Sequence, residues 1–140
     1  MYNLKLNPTT WDLEFSDEGQ LQLVDGAELV AQRLTYRLRT HVNEWLLDVT
    51  MGLDYRGNIL IKAVDLGLVR AEILVLLQTC PGVQRVTQLD LDHDTAARHL
   101  DVTFAVLTDE GDTLIATAEG DDLLSVLGCL IFVPIAPLVI

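Results

Sequence analysis

The sequence is short of positive charge, cysteine, aromatic rings and serine, and each shortage closes off a class of function. Nine Lys and Arg stand against 21 Asp and Glu in 140 residues, a formal net charge of −12. Proteins that grip nucleic acid neutralise phosphates with a cationic surplus, so this balance argues against nucleic acid as a direct partner. The two cysteines, Cys80 and Cys129, have no metal-ligand spacing, and the opening residues hold no apolar run of the kind a secretory leader needs. A cytosolic chain with reduced thiols is expected. Ser16 and Ser125 are the only serines and His41, His93 and His99 the only histidines, none in a Gly-x-Ser-x-Gly setting, so no nucleophile-and-base pattern emerges. No glycine-rich phosphate loop is present either.

Apolar residues are what the chain has in quantity, at 50% of the total. That suffices for one core in one domain, and an acidic chain this apolar does not belong to the disordered class.

Trp11, Leu13 and Phe15 alternate with polar residues, the run 16–20 breaks the pattern, and Leu21, Leu23 and Val24 follow, which predicts an N-terminal hairpin. After Asp25-Gly26 the spacing changes to Val30, Leu34, Leu38 and Val42, steps of four that stack on one face of a helix running to about residue 41. Arg33, Arg37 and Arg39 lie on the outer side of that helix. Residues 43–62 keep no period and hold Trp45, Gly52, Tyr55 and Gly57, an irregular loop of the kind that carries function. Asp65 is suited to cap a second helix, 66–79, apolar nearly all round and therefore expected to be covered on more than one side. Cys80-Pro81-Gly82 ends it. Strands at 83–91 and 98–107 flank the turn 92–97, and a short strand at 113–118 would extend this second hairpin into a meander.

Two constellations invite chemistry. Asp90, Asp92, Asp94 and Asp101 imitate the spacing of a calcium loop, but Thr95 stands where that loop needs glycine and Asp101 where it needs a bidentate Glu. Alternate aspartates on the wet side of a strand account for the pattern, and no metal ligand or cofactor is assigned. Glu44 lies next to Trp45, whose indole could raise a carboxyl pKa for glycoside hydrolysis with Asp48 or Asp54 as partner. In a chain so rich in acids the spacing is unspecific, and Glu44 reads better as a surface or interface carboxylate that pairs with an arginine.

The last 18 residues, 123–140, carry no charge and follow the acidic Glu119-Gly-Asp-Asp122. A helix that long would rise roughly 27 Å, near the lower bound for a membrane span. Pro134 and Pro137 interrupt it and its inner flank is acidic, so a tail anchor is the poorer reading. A helix at 121–130 followed by an extended arm at 132–140 is expected, packed on its own domain or in a neighbouring subunit.

In order along the chain, Asp25-Gly-Ala-Glu28, Ala31-Gln-Arg-Leu34, Asn43-Glu-Trp-Leu-Leu-Asp48, Gly52-Leu-Asp-Tyr55, Ile59-Leu-Ile-Lys62 and Thr79-Cys-Pro-Gly-Val83 form a pattern. It resembles the small baseplate wedge subunit of contractile phage tails, a family that includes the lysozyme-like wedge subunit of type VI secretion baseplates. The resemblance runs from Trp11 to Ala118 and leaves the apolar tail without a counterpart. It implies an α+β domain, two main helices packed on a small antiparallel sheet built from the N-terminal hairpin and the C-terminal meander, at residues 1–119, with the apolar arm at 120–140. It further implies six copies around the tail axis of a virion assembled in the host cytoplasm, contacting wedge, hub, tube and sheath proteins, and templating sheath polymerisation without enzymatic activity. Sheath subunits of such systems add strands to each other's sheets, and the strand at 113–118, with Leu114 and Ala116, is the expected open edge. The other expected contact residues are Arg33, Arg37 and Glu44, the anchors Trp45 and Tyr55, and Phe132 and Ile135 of the arm. The alternatives from other classes are a cell-wall glycosidase using Glu44 and a tail-anchored membrane protein.

Overall fold

The computed structural model describes residues 1–7, 10–59, 61–94, 96, 99–118 and 130–135. Helix α1 (Gly26–Arg39) buries Leu29, Val30, Leu34 and Leu38 along one stripe, the stripe that the step-of-four spacing marks out. Helix α2 (Leu66–Gln78) starts where Asp65 accepts hydrogen bonds from the backbone N–H groups of Gly67 and Leu68, satisfying donors that the first turn leaves without partners.

Four strands form the main sheet in the order β3 (Val83–Asp94), β4 (His99–Thr108), β5 (Thr113–Ala118) and β6 (Leu130–Ile135), all antiparallel. Leu100, Val102, Phe104 and Val106 alternate along β4 and are buried, as are Leu114 and Ala116 of β5; with Leu89 they form the sheet's share of the core. The helices add Leu34, Leu38, Val69, Ile73 and Leu77, and the loop between them adds Leu53, Tyr55 and Ile59. The architecture is therefore α+β, as the pattern of elements predicts.

Four features differ from expectation. The strand at 113–118 is not an open edge: β6 covers it through six paired positions, from Thr113 against Ile135 to Ala118 against Leu130. An apolar, β-rich stretch with no charge completes a sheet more readily than it tolerates solvent, and Pro134 is compatible with an outermost strand because a missing donor there costs little. The helix expected at 121–130 lies outside the described residues, apart from Leu130, which opens β6.

Second, the N-terminal strands do not join the main sheet. Strand β1 (Asn3–Leu4) pairs with β2 (Leu23–Val24) in a separate sheet. Third, α2 packs against β3, α1 and the loop that follows α1 but is not enclosed all round: Leu68 and Val75 remain exposed. Fourth, the irregular loop contains one π-helical turn, Tyr55–Ile59, whose ends Tyr55 and Ile59 are buried. Such turns have no distinctive residue spacing. Among the described residues no helix is long and apolar enough to cross a membrane.

The aspartates that imitate a calcium loop lie on paired strands, with Asp92 directly opposite Asp101 across β3 and β4. Cys80 is a free, buried thiol whose pKa burial pushes up.

Candidate functional site

The segment from Thr40 to Ile59 is a loop with a fixed neck and a projecting tip. At the neck Leu53 donates to the Thr40 carbonyl and Val42 to the Leu53 carbonyl, both at 3.0 Å, so that His41 and Leu53 bridge in parallel. This approach is so close that a Cβ on Gly52, whose φ is +106°, would lie 2.3 Å from the Thr40 oxygen. Tyr55 passes beneath, 4% exposed, its ring 4.7 Å from that of His41 and its hydroxyl donating to the Leu38 carbonyl at the end of α1. Burial holds the phenol well above its ordinary pKa. Tyr55 thus ties the loop to the core and has almost no surface to offer a partner.

The tip, residues 43–50, closes on itself. Asn43, at φ +66°, donates to the Val49 carbonyl at 2.9 Å, and Asp48 donates its N–H to the Trp45 carbonyl at 3.2 Å. Glu44 accepts from the His41 N–H at 2.8 Å. The Asp48 carboxylate accepts from the Thr50 hydroxyl at 2.7 Å and N–H at 3.0 Å, and these bonds, the hydroxyl first, hold its pKa below the usual range. The polar side chains of the tip are engaged in shaping it, while Leu46 is 90% and Leu47 82% exposed and Trp45 is partly so. Adjacent exposed leucines on a hydrogen-bonded pedestal make an apolar patch at the tip. Sequence reasoning singled out Trp45 and passed over Leu46 and Leu47, because exposure of an apolar pair has no signature in composition.

The α1 arginines divide. Arg33 donates to the Pro81 carbonyl at 3.3 Å and Arg37 to the Thr79 hydroxyl at 3.2 Å, fastening α1 to the turn after α2. Arg39 is exposed and lies over the Trp11 ring, 4.7 Å from its centroid. Trp11, Tyr36, Arg39, Glu44 and Trp45 line an open groove on this side. Between loop and α2 a second groove of about 650 Å³ is lined by Arg37, Asp48, Asp54 and Glu72 among others. Glu72 accepts from the Asn58 side-chain amide through one oxygen, while the other is buried without a hydrogen-bond partner. Burial, and then the nearby Asp54 charge, raise its pKa. Among the described residues no group of His, Cys, Asp and Glu is arranged to hold a metal ion.

Leu114 and Ala116 lie in the core on β5, and Phe132 and Ile135 are positions of β6, so the structure places these four on adjacent, paired strands. The outer edges of the sheet are β3, with register shifts between Val83 and Arg85 and between Val86 and Gln88, and β6, with Pro134.

A four-stranded meander closed by a tail strand, backed by two helices and carrying a braced apolar loop, defines a small α+β domain whose exposed features are apolar side chains and sheet edges. The family model for the contractile injection system sheath initiator matches residues 2–111, and the chain belongs to that family. Its role is structural, in assembling the sheath of a contractile injection system. No curated protein matches the chain.

Proposed function

We propose that the chain is a baseplate wedge subunit, present in six copies around the tail of a virion, that links wedge to hub and tube and presents its sheet as the first template for the sheath. The observation that carries this reading is the edge of β5, which accepts a six-residue strand in continuous antiparallel register. In the free chain β6 holds that place. The remaining edges are poor templates, because bulges and charged residues blunt β3 and a proline interrupts the donors of β6. A sheath strand therefore joins by taking the position beside β5, with main-chain hydrogen bonds supplying affinity and alternate side chains supplying register.

The braced tip with Trp45, Leu46 and Leu47 is the contact toward wedge or hub proteins. The reading is non-catalytic: Glu44 and Asp48 are engaged in forming that tip, a use that supports structure over proton transfer.

Ala116 and Phe132 are directly opposed, within the separation a disulfide spans. In a Cys129→Ser background, Ala116→Cys with Phe132→Cys should lock β6 in place on oxidation, lower sheath nucleation on purified baseplates by roughly ten-fold or more, and release it on reduction. Equal nucleation by oxidised and reduced protein, or failure of the two thiols to join, overturns the proposal.

A further inference from the structure

The N-terminal ribbon is amphipathic and faces the unexpected way. Three extended segments meet where Lys5 donates to the Gln22 carbonyl at 2.9 Å, Gln22 to the Glu14 carbonyl at 3.0 Å and Glu14 to the Lys5 carbonyl at 3.1 Å, a closed ring of main-chain bonds. The residues on either side of each ring member point the opposite way from it. Bridges pair Leu6 with Leu13 and Phe15 with Leu21, and Leu4 lies opposite Leu23. These flanking residues therefore share one side. That side is open: Leu4, Leu13, Phe15, Leu21 and Leu23 are all exposed, Phe15 at 59% and Leu23 at 62%.

The polar side is the one fastened to the domain. Lys5 lies 3.1 Å from Glu28 of α1 and 3.6 Å from Glu14, while Gln32 of α1 donates to the Leu4 carbonyl at 2.9 Å and accepts from the Leu6 N–H at 3.1 Å. These bonds fix the face outward, since turning the ribbon over would leave a lysine and two backbone groups without their partners on α1.

We propose that this face is a docking surface for a segment of another protein, one with apolar residues flanked by Lys or Arg. Charge selects that occupant. Residues 1–25 hold one lysine against five acids, and the lysine is turned to α1 and paired. Asp12, Asp17, Glu18 and Asp25 are exposed and next to the apolar residues in sequence, so the charge the ribbon itself brings to its rim is acidic. A second copy of the chain would set that rim against itself, and an anionic lipid surface would repel it. A cationic rim on the partner answers both the charge and the apolar area. The inference is independent of which strand the sheath takes, because the ribbon and the main sheet are separate.

The probe is a labelled peptide of alternating leucine and threonine with paired lysines at both ends, compared with the same peptide ended by glutamates, by fluorescence anisotropy with the full chain. The lysine-ended peptide should bind roughly ten-fold more tightly at low salt and lose that margin as salt rises. Leu13→Ser with Phe15→Ser and Leu23→Ser should abolish binding. Asp17→Lys with Glu18→Lys, which leaves the apolar face untouched, should reverse the preference between the peptides. Thermal unfolding of each variant verifies the fold. Equal affinity for the two peptides, or none for either, overturns the proposal. So does a dimer in sedimentation, or partition onto zwitterionic vesicles, that the serine variant abolishes.

Discussion

The main sheet and the N-terminal ribbon are written in the same alternation and use it in opposite senses. Leu100, Val102, Phe104 and Val106 of β4 turn inward against α1 and α2, whereas Leu13, Phe15, Leu21 and Leu23 turn outward. Period two establishes that a strand has an apolar side; what lies beyond that side is set by the rest of the chain. In the main sheet two apolar helix stripes claim it. At the ribbon, Glu28 and Gln32 on α1 claim the polar side instead and leave the apolar one to solvent.

The largest break in this comparison comes from truncating one phenylalanine in each region. Phe104→Ala removes a fully buried ring and should cost about 3–5 kcal/mol in urea unfolding, whereas Phe15→Ala should change stability by no more than about 0.5 kcal/mol. Comparable losses at the two positions would mean that the ribbon face is covered within the chain. A second test sets two positive-φ glycines against each other. At Gly52 a Cβ meets the Thr40 carbonyl carbon and oxygen, while at Gly19, in the ribbon turn, it meets nothing within 4 Å. Both substitutions to Ala carry backbone strain of roughly 1–2 kcal/mol, and Gly52→Ala adds the steric clash, so its midpoint of unfolding should fall further.

The smallest effect sharpens the interior side. Tyr55→Phe deletes the hydroxyl donated to Leu38 and should cost about 1 kcal/mol near neutral pH. Because burial raises the phenol's pKa in the fold, its unfolded counterpart loses its proton first. Stability is therefore fully present below pH of about 10 and falls above it by up to about 1.4 kcal/mol per pH unit. Lys5, raised chiefly by its bond to Glu28, adds a loss of the same sign at high pH in both proteins. The difference between wild type and Tyr55→Phe in urea titrations across alkaline pH isolates the phenol, and parallel curves would place its ionisation outside folding.

What could be read from the sequence was the part in which local chemistry and tertiary packing agree. Asp65 caps α2 as its position before an apolar run requires, and the spacing of Val30, Leu34 and Leu38 matches the buried side of α1. The π-helical turn at Tyr55–Ile59 has no period to detect, and the neck that fixes it depends on contacts between Thr40 and Gly52. Strand β6 was concealed by its own composition: an uncharged stretch with two prolines reads equally as an arm or a strand, and only the free edge of β5 decides. Arg33 and Arg37 were legible as a pair on one helix face, but their bonds to Pro81 and Thr79 depend on where α2 ends. The exposed leucines at 46 and 47 lay beside the residue chosen as an anchor and carried no pattern of their own.

The ring joining Lys5, Gln22 and Glu14 has a dynamic consequence. Each of its three amides is held by a different segment, and none can open without loosening the other two. In hydrogen exchange these amides should form a small protected set distinct from those of the helices, exchanging together at one rate. The ribbon then behaves as a single mechanical unit: its leucines remain in one plane of presentation until all three bonds break at once.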